Sequence, residues 1–225
     1  MRVRIKFRKE AEGRFISHLD LLRVVERAVR RAGLKVAHTQ GFNPRPRILY
    51  ASALALGATS EAEYADIDLE VAVPAADVPR RLNSVLPPAV RVTAAAEVSE
   101  HSKPLMAVVN AAEYDVLVPV AAALDAAGAP DAAAPDRAAV EAAARGVAAR
   151  GPAAGVFALE VAGFCPPLLK LRAVLRLGGA GTVRPAAVAA EVCAAAGLLA
   201  GVPCLHRRGL YAARGDELLT PWQFG

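Results

Sequence analysis

The sequence predicts an α+β fold in which the element order β-α-β-β-α-β occurs twice along the chain. Apolar and polar residues alternate in several short segments, and apolar residues recur at helical spacing in others. Both kinds of segment follow one another in the same order in each half of the chain. This order is the ferredoxin-like pattern, and we therefore predict two tandem ferredoxin-like modules, over residues 1–105 and 110–225.

The chain begins with a predicted strand and helix. Residues 2–9 alternate apolar and basic side chains, which predicts a strand with one buried face. Ser17, with Asp20 three residues later, is typical of a helix N-cap, and Gly33 is placed to end that helix. One face of the helix is apolar, and the opposite face carries four arginines, Arg23, Arg27, Arg30 and Arg31.

The first module continues with further strands and a second helix. In chain order, we predict strand 48–56, strand 64–73, helix 77–86 capped by Asp77, and strand 91–98. Asp66, Asp68 and Glu70 alternate with apolar residues in the second of these strands. They fit the solvent face of a one-sided sheet, a set of electrostatic partners for the arginines, or a cation site.

The second module repeats the pattern after a connector of low complexity. Residues 123–136 are rich in Ala, Pro, Gly and Asp, which predicts a mobile segment. In chain order, we predict strand 114–120, helix 137–149, strands 156–164 and 168–177, helix 184–196 and strand 204–213.

Composition excludes several classes of protein. No apolar run is long enough to cross a membrane. Residues 1–9 alternate basic and apolar side chains and do not have the continuous apolar stretch of a signal peptide. Cys165, Cys193 and Cys204 are too few and too scattered for a disulfide framework or a metal site, and their apolar neighbours predict buried thiols. We therefore expect a cytoplasmic protein with no metal and no cofactor.

The basic residues are concentrated near the start of the chain. Residues 1–50 contain 13 Lys and Arg against four acidic residues, whereas the rest of the chain contains 14 against 18. Segregation of this kind is typical of an electrostatic surface for nucleic acid. The alternative is a basic surface that only keeps the protein soluble.

The segment 39–47 joins proline, arginine and an aromatic residue. Two prolines favour extended backbone at Asn43 and Arg45, the residues that precede them. Guanidinium groups bind phosphate with two hydrogen bonds, and Phe42 could stack on an unpaired base. The segment therefore predicts binding of loop or single-stranded RNA through Phe42, Asn43, Arg45 and Arg47. Alternatively, it is a stiff connector whose Phe42 packs in the core.

Two histidines lie beside these basic elements. His18 is at the start of the arginine-rich helix, and His38 just precedes the proline segment. A neutral imidazole near phosphates is a candidate general base, so His18, with Tyr50 or Tyr64, could cleave RNA without a metal. The alternative is that His18 packs or forms hydrogen bonds at the helix start.

Three segments resemble the radical SAM-linked protein family, a bacterial domain of unknown function. They are Phe15-Ile-Ser-His-Leu-Asp-Leu-Leu-Arg23, Gln40-Gly-Phe-Asn-Pro-Arg-Pro-Arg47 and Leu56-Gly-Ala-Thr-Ser-Glu-Ala-Glu-Tyr64. The resemblance covers residues 1–105, although we expect tyrosine in the family at position 38. It implies a separately encoded radical SAM enzyme as partner, because this chain has no CxxxCxxC motif.

These observations lead to three hypotheses about function. The first is an RNA-binding accessory protein that presents tRNA or rRNA to a radical SAM modification enzyme. The second is a metal-independent endoribonuclease, since duplicated ferredoxin-like modules also resemble the RNA-processing enzymes of CRISPR systems. The third is a docking module whose basic surface binds an acidic protein partner.

Overall fold

The computed structural model describes residues 1–122, 135–179, 181–215 and 217–224, and the chain divides into two compact units. Unit 1 comprises residues 1–110 and 209–225, and unit 2 comprises residues 111–208. Each unit combines helices with antiparallel strands, so the predicted mixture of α and β elements is confirmed. Residues 123–134 of the predicted connector lie outside the described residues.

Unit 1 has three longer strands and two helices at its centre. Its elements are β1 Arg2–Lys9, α1 His18–Arg31, β2 Ile48–Tyr50, β3 Thr59–Asp68, α2 Asp77–Asn83, β4 Val90–Val98 and α3 Leu105–Val108. β1 lies between β3 and β4, and β2 pairs with β3; all these pairings are antiparallel. A 3-10 helix over Ala11–Phe15 leads into α1.

The core of unit 1 lies between the sheet and α1. Val3, Ile5 and Phe7 of β1 are buried on one side of the sheet, in one cluster with the buried residues of α1, among them Leu21 and Val25. Burying each such side chain contributes about 1.5–3 kcal/mol to folding. The predicted apolar faces of β1 and α1 are therefore confirmed.

The start of α1 is fixed by its predicted cap. The Ser17 hydroxyl accepts a hydrogen bond from the Asp20 backbone N–H at 3.2 Å and donates one to the Asp20 carboxylate at 2.7 Å. Helix termini leave backbone N–H groups without partners, and this side chain satisfies one of them. Gly33, just beyond the helix, has a φ of +69°, the left-handed conformation that glycine adopts most readily.

Loss of this cap should weaken unit 1 measurably. Ser17→Ala is expected to lower the free energy of unfolding by about 1 kcal/mol, because the Asp20 N–H loses its partner. Urea unfolding followed by circular dichroism measures the change. Ser52→Ala is the matched control, since its hydroxyl caps no helix and donates to the neighbouring Ala53 carbonyl. An equal loss in both variants would contradict the role of the cap.

Several predicted boundaries in unit 1 were wrong. The predicted strand 48–56 ends at Tyr50, and the predicted strand 64–73 is shifted to Thr59–Asp68. The ladder with β1 ends at Asp68, because its partner Arg2 is the first residue of β1. The Leu69 N–H still bonds to the Met1 carbonyl at 2.8 Å, and the Glu70 N–H bonds to the Lys35 carbonyl at 2.9 Å. Asp77 begins α2 but does not cap it: Ala76 is the N-cap residue and has no capping side chain.

Unit 2 has its own antiparallel strands and two helices. Its elements are β5 Ala111–Ala122, α4 Arg137–Ala148, β6 Val156–Cys165, β7 Leu168–Arg176, α5 Pro185–Ala195 and β8 Leu198–Ala200. β7 pairs with both β5 and β6, and β8 pairs with β5. β9, Cys204–Arg214, begins in unit 2 and ends in unit 1, where it pairs with β10, Glu217–Leu219. The sequence did not predict the short strands β8 and β10.

The cysteines differ from expectation in one respect. Cys193 is buried in α5 as predicted, whereas Cys165 and Cys204 are exposed. Each exposed thiol lies at the end of a strand, next to a proline. Among the helices that the structure describes, none is long and apolar enough to cross a membrane.

Candidate nucleic-acid interface

Two basic side chains of β1 on the sheet face opposite α1, those of Arg2 and Arg4, are buried. Arg4 is fully buried and forms two hydrogen bonds with the Asp66 carboxylate, at 2.7 and 3.0 Å. Arg2 binds Asp68 in the same way, at 2.6 and 3.2 Å. The predicted solvent face of Asp66 and Asp68 was therefore wrong, and their predicted alternative role as partners of the arginines is confirmed.

The C-terminal part of unit 1 covers these ion pairs. The Arg4 guanidinium donates a hydrogen bond to the Pro221 carbonyl. The next residue, Trp222, contacts the Tyr64 ring edge to face, with ring centroids 5.5 Å apart. Two of the charges that made the N-terminal region basic in sequence, on Arg2 and Arg4, are thus neutralised inside unit 1 and cannot contact a ligand.

The outer face of α1 keeps its positive charge. In the described part of the chain, no carboxylate lies within ion-pair distance of Arg27, Arg30, Arg31 or Lys35. Arg23 pairs with Asp20 at 3.1 Å and with no other described carboxylate, and both side chains are exposed. The spacing that permits a Glu26–Arg30 pair is present, yet that pair does not form.

A groove of about 710 Å³ runs beside these cations. It is lined by residues of α1, of the segment that follows it and of the chain beyond β3: Arg23, Glu26, Arg27, Arg30, Gly33, Leu34, Lys35, Val36, His38, Pro46 and Glu70. One wall of the groove is α1. The other wall is the segment that follows α1, which is held against the chain beyond β3 by the backbone bridge between Val36 and Leu69 and by the hydrogen bond from the Glu70 N–H to the Lys35 carbonyl.

The proline segment forms a hairpin beyond the groove. His38 pairs with Pro46, and the Thr39 N–H donates to the Arg45 carbonyl at 2.9 Å. The Thr39 hydroxyl accepts a hydrogen bond from the Arg45 N–H at 3.0 Å. Gly41, with a φ of +127°, allows the chain to turn at the tip.

The tip of the hairpin is presented to solvent. Phe42 is fully exposed, which rules out the alternative in which it packs in the core. Asn43 and Arg45 are exposed as well. Arg47, at the base of the hairpin, instead binds Asp68 at 2.8 Å and helps to hold the hairpin against β3.

The structure brings together part of the predicted set of residues. Arg23, Arg27 and Arg30 share the groove, whereas Arg31 lies outside its lining. Phe42, Asn43 and Arg45 lie at the tip of a hairpin whose stem, His38 and Pro46, lines the groove. Sequence reasoning missed Lys35 and Glu70 as groove residues, because only the backbone pairing between their segments makes them neighbours.

The predicted catalytic group His18 lies at the first turn of α1, away from the groove lining. Its ring contacts that of Tyr50 edge to face, with centroids 6.1 Å apart. Burial raises the pKa of the Tyr50 hydroxyl, and the Glu26 carboxylate raises it further. A hydroxyl of this kind is a poor proton donor or nucleophile near neutral pH.

Tyr64, the other predicted partner of His18, is on the opposite face of the sheet from Tyr50. Tyr50 pairs with Ala65, so the adjacent Tyr64 points the other way, towards Trp222. Burial raises the pKa of Tyr64 to about 12. Across the residues that the structure describes, no cluster of three metal-ligating side chains occurs either.

Residues 2–150 match the model of a family described as "Uncharacterized protein conserved in bacteria (DUF2344)". The chain belongs to this family. The matched segment of this DUF2344 protein includes every residue of the groove and of the hairpin. The family description names no activity, ligand or partner, so the predicted link to radical SAM enzymes stays a prediction.

Comparisons with individual proteins add little to the family assignment. A crystal structure of an unknown protein from Galdieria sulphuraria aligns with 92% of the DUF2344 chain and 97% of its own length, at 15% identity and a TM-score of 0.23. A likeness at that TM-score supports no conclusion about fold or function. A search of curated proteins found no match.

Proposed function

We propose that this protein is an RNA-binding accessory protein whose ligand lies along α1 and the hairpin. The groove carries the proposal: Arg27, Arg30 and Lys35 line it without an ion-pair partner among the described residues. Guanidinium groups bind phosphate oxygens with two parallel hydrogen bonds, and a Lys adds a compact charge. Cations spaced along one groove suit the repeating phosphates of a nucleic acid.

The hairpin supports unpaired RNA as the ligand. Phe42 and Arg45 are exposed at its tip, beyond the groove. An exposed aromatic ring stacks on a base only where that base is not already stacked in a duplex. A loop or single-stranded stretch of tRNA or rRNA meets this requirement.

The family resemblance of residues 1–105 supports a radical SAM enzyme as the partner. In this proposal the chain binds the RNA in the cytoplasm and presents it for modification by that separately encoded enzyme. The element order and the strand pairings of unit 1 also support assigning it to the ferredoxin-like class. The ribonuclease alternative has less support, because Tyr50 and Tyr64 are both poor partners for His18.

A docking module is the second candidate, and one observation favours it. Phe15, Leu19 and Leu56 are large apolar side chains that are mostly exposed. The Gly57 N–H donates to the Arg14 carbonyl at 2.8 Å, which holds Leu56 near Phe15. Exposed apolar residues beside basic ones suit a protein partner with an acidic rim.

The RNA proposal is tested by binding to unpaired RNA. Phe42→Ala is expected to weaken binding of a labelled single-stranded RNA by about fivefold or more, since each stacked base contributes about 1–3 kcal/mol. Fluorescence anisotropy measures the affinity. Leu56→Ala is the matched control, an exposed apolar residue outside the hairpin, and should bind as the wild type does.

Two results would contradict the proposal. One is a wild-type protein that binds no cellular RNA even at low salt, where a phosphate interface is strongest. The other is equal loss of RNA affinity in Phe42→Ala and Leu56→Ala. Purification free of nucleic acid together with an acidic protein, released by Leu56→Ala, would favour docking instead.

A further inference from the structure

The groove beside α1 contains carboxylates as well as cations. Glu26 projects from the helix among Arg23, Arg27 and Arg30, and Glu70 lies on the other wall. Both glutamates are exposed, and neither forms an ion pair within the described ranges 1–122 and 135–179. A groove that served phosphates alone would gain nothing from two negative charges, because each repels the ligand.

The position of Glu70 is set by the backbone and not by a charged neighbour. Its N–H donates to the Lys35 carbonyl at 2.9 Å, immediately after the bridge between Val36 and Leu69. Glu26 is held by α1, three and four residues from Arg23 and Arg30. Glu26 therefore stands on a helix and Glu70 in a bend fixed by a backbone hydrogen bond, and the groove that both line also contains unpaired cations.

A carboxylate only accepts hydrogen bonds, and its two oxygens bind a pair of parallel N–H donors best. Among the unpaired bases, guanine presents such a pair on its Watson–Crick edge, the ring N–H and the exocyclic amino group. Uracil has one ring N–H between two carbonyls, and those carbonyls would face the carboxylate oxygens. The mixture of charges in the groove thus matches a guanosine with its flanking phosphates.

We propose that this groove reads an unpaired guanine, with Glu26 or Glu70 accepting from its Watson–Crick edge while Arg27, Arg30 and Lys35 hold the adjacent phosphates. The inference rests on the proposed RNA-binding function and adds base specificity to it. Carboxylate recognition also explains why acidic residues are present in a basic groove: they select among bases at some cost in overall affinity.

The test uses three short RNAs that are alike except at one position. A uridine-rich RNA with one central guanosine should bind the full-length protein about tenfold more tightly than the all-uridine RNA, the size of effect expected for one bidentate base contact. Replacing that guanosine by inosine removes the exocyclic amino group, and most of the preference should be lost. Fluorescence anisotropy gives all three affinities.

The variant Glu26→Gln/Glu70→Gln separates specificity from affinity. It should lose the preference for guanosine and bind the all-uridine RNA at least as tightly as the wild type, which also shows that it is folded. Glu12→Gln/Glu97→Gln is the matched control: it removes two exposed carboxylates outside the groove and should keep the preference.

The possible outcomes distinguish the two proposals. Equal binding of the guanosine and uridine RNAs by the wild type, or a preference that survives in Glu26→Gln/Glu70→Gln, overturns base reading and leaves RNA binding intact. A wild-type protein that binds none of the three RNAs overturns the proposed function, and the specificity proposal with it.

Discussion

Replacing Asp66 by alanine is expected to lower the free energy of unfolding of unit 1 by about 3–5 kcal/mol. Arg4 and Asp66 are both fully buried, and the carboxylate accepts two hydrogen bonds from the guanidinium. Without Asp66, the Arg4 guanidinium stays charged and buried and keeps only its hydrogen bond to the Pro221 carbonyl among the described residues. A buried charge that loses its partner costs far more than the pair contributes when intact.

The measurement is urea unfolding followed by the fluorescence of Trp222, the single tryptophan, which packs on Tyr64 in unit 1. Asp77→Ala is the matched control, because it removes an aspartate from an exposed pair with Arg80 and should cost less than about 1 kcal/mol. Similar losses in the two variants would show that burial of the Arg4–Asp66 pair is unimportant.

A double variant examines the mechanism of that loss. Arg4→Met/Asp66→Leu should be more stable than Asp66→Ala, because two apolar side chains leave no charge to be desolvated. If the double variant is as unstable as Asp66→Ala, the loss comes from disturbed packing and not from an unpaired charge.

Local chemistry explains which parts of the fold could be predicted. The cap at Ser17 and the apolar stripe of α1 depend on residues within a few positions of one another, and both were correct. The environment of Arg4 was not predictable in this way. The alternation of apolar and basic residues in β1 placed Arg4 on the face opposite the apolar core. The residues that cover Arg4, near Pro221, are more than 200 positions away in the chain and could not be inferred from it.

The same limit applies to the candidate site. The arginines of α1 were found because helical spacing places them on one face. Proline and glycine chemistry predicted a stiff segment with a turn, but it left open whether Phe42 is exposed or buried. That Lys35 and Glu70 line the same groove could not be predicted, because a backbone hydrogen bond between residues 35 positions apart in the chain makes them neighbours. Arg47 was expected beside Arg45 as a ligand, yet a carboxylate distant in sequence, Asp68, binds it.

Removing the unpaired cations of the groove should have the largest effect on RNA binding. In Arg27→Gln/Arg30→Gln/Lys35→Gln, three phosphate contacts would be lost. Each contact to single-stranded nucleic acid contributes about 0.7 to the slope of log affinity against log salt, so the slope should fall by about two. The same relation predicts an affinity loss of about 100- to 1,000-fold at about 50 mM salt, but only about 30-fold at about 200 mM.

The control for this variant must change the net charge equally without touching the groove. Arg80→Gln/Arg91→Gln/Lys103→Gln removes three exposed cations of unit 1 that lie outside the groove lining. If the groove is the phosphate site, this control keeps the wild-type salt slope, and its affinity changes by no more than a small factor. Equal losses in the two triple variants would mean that RNA responds to the total charge of the protein, and a groove variant that binds as the wild type does would place the phosphates elsewhere.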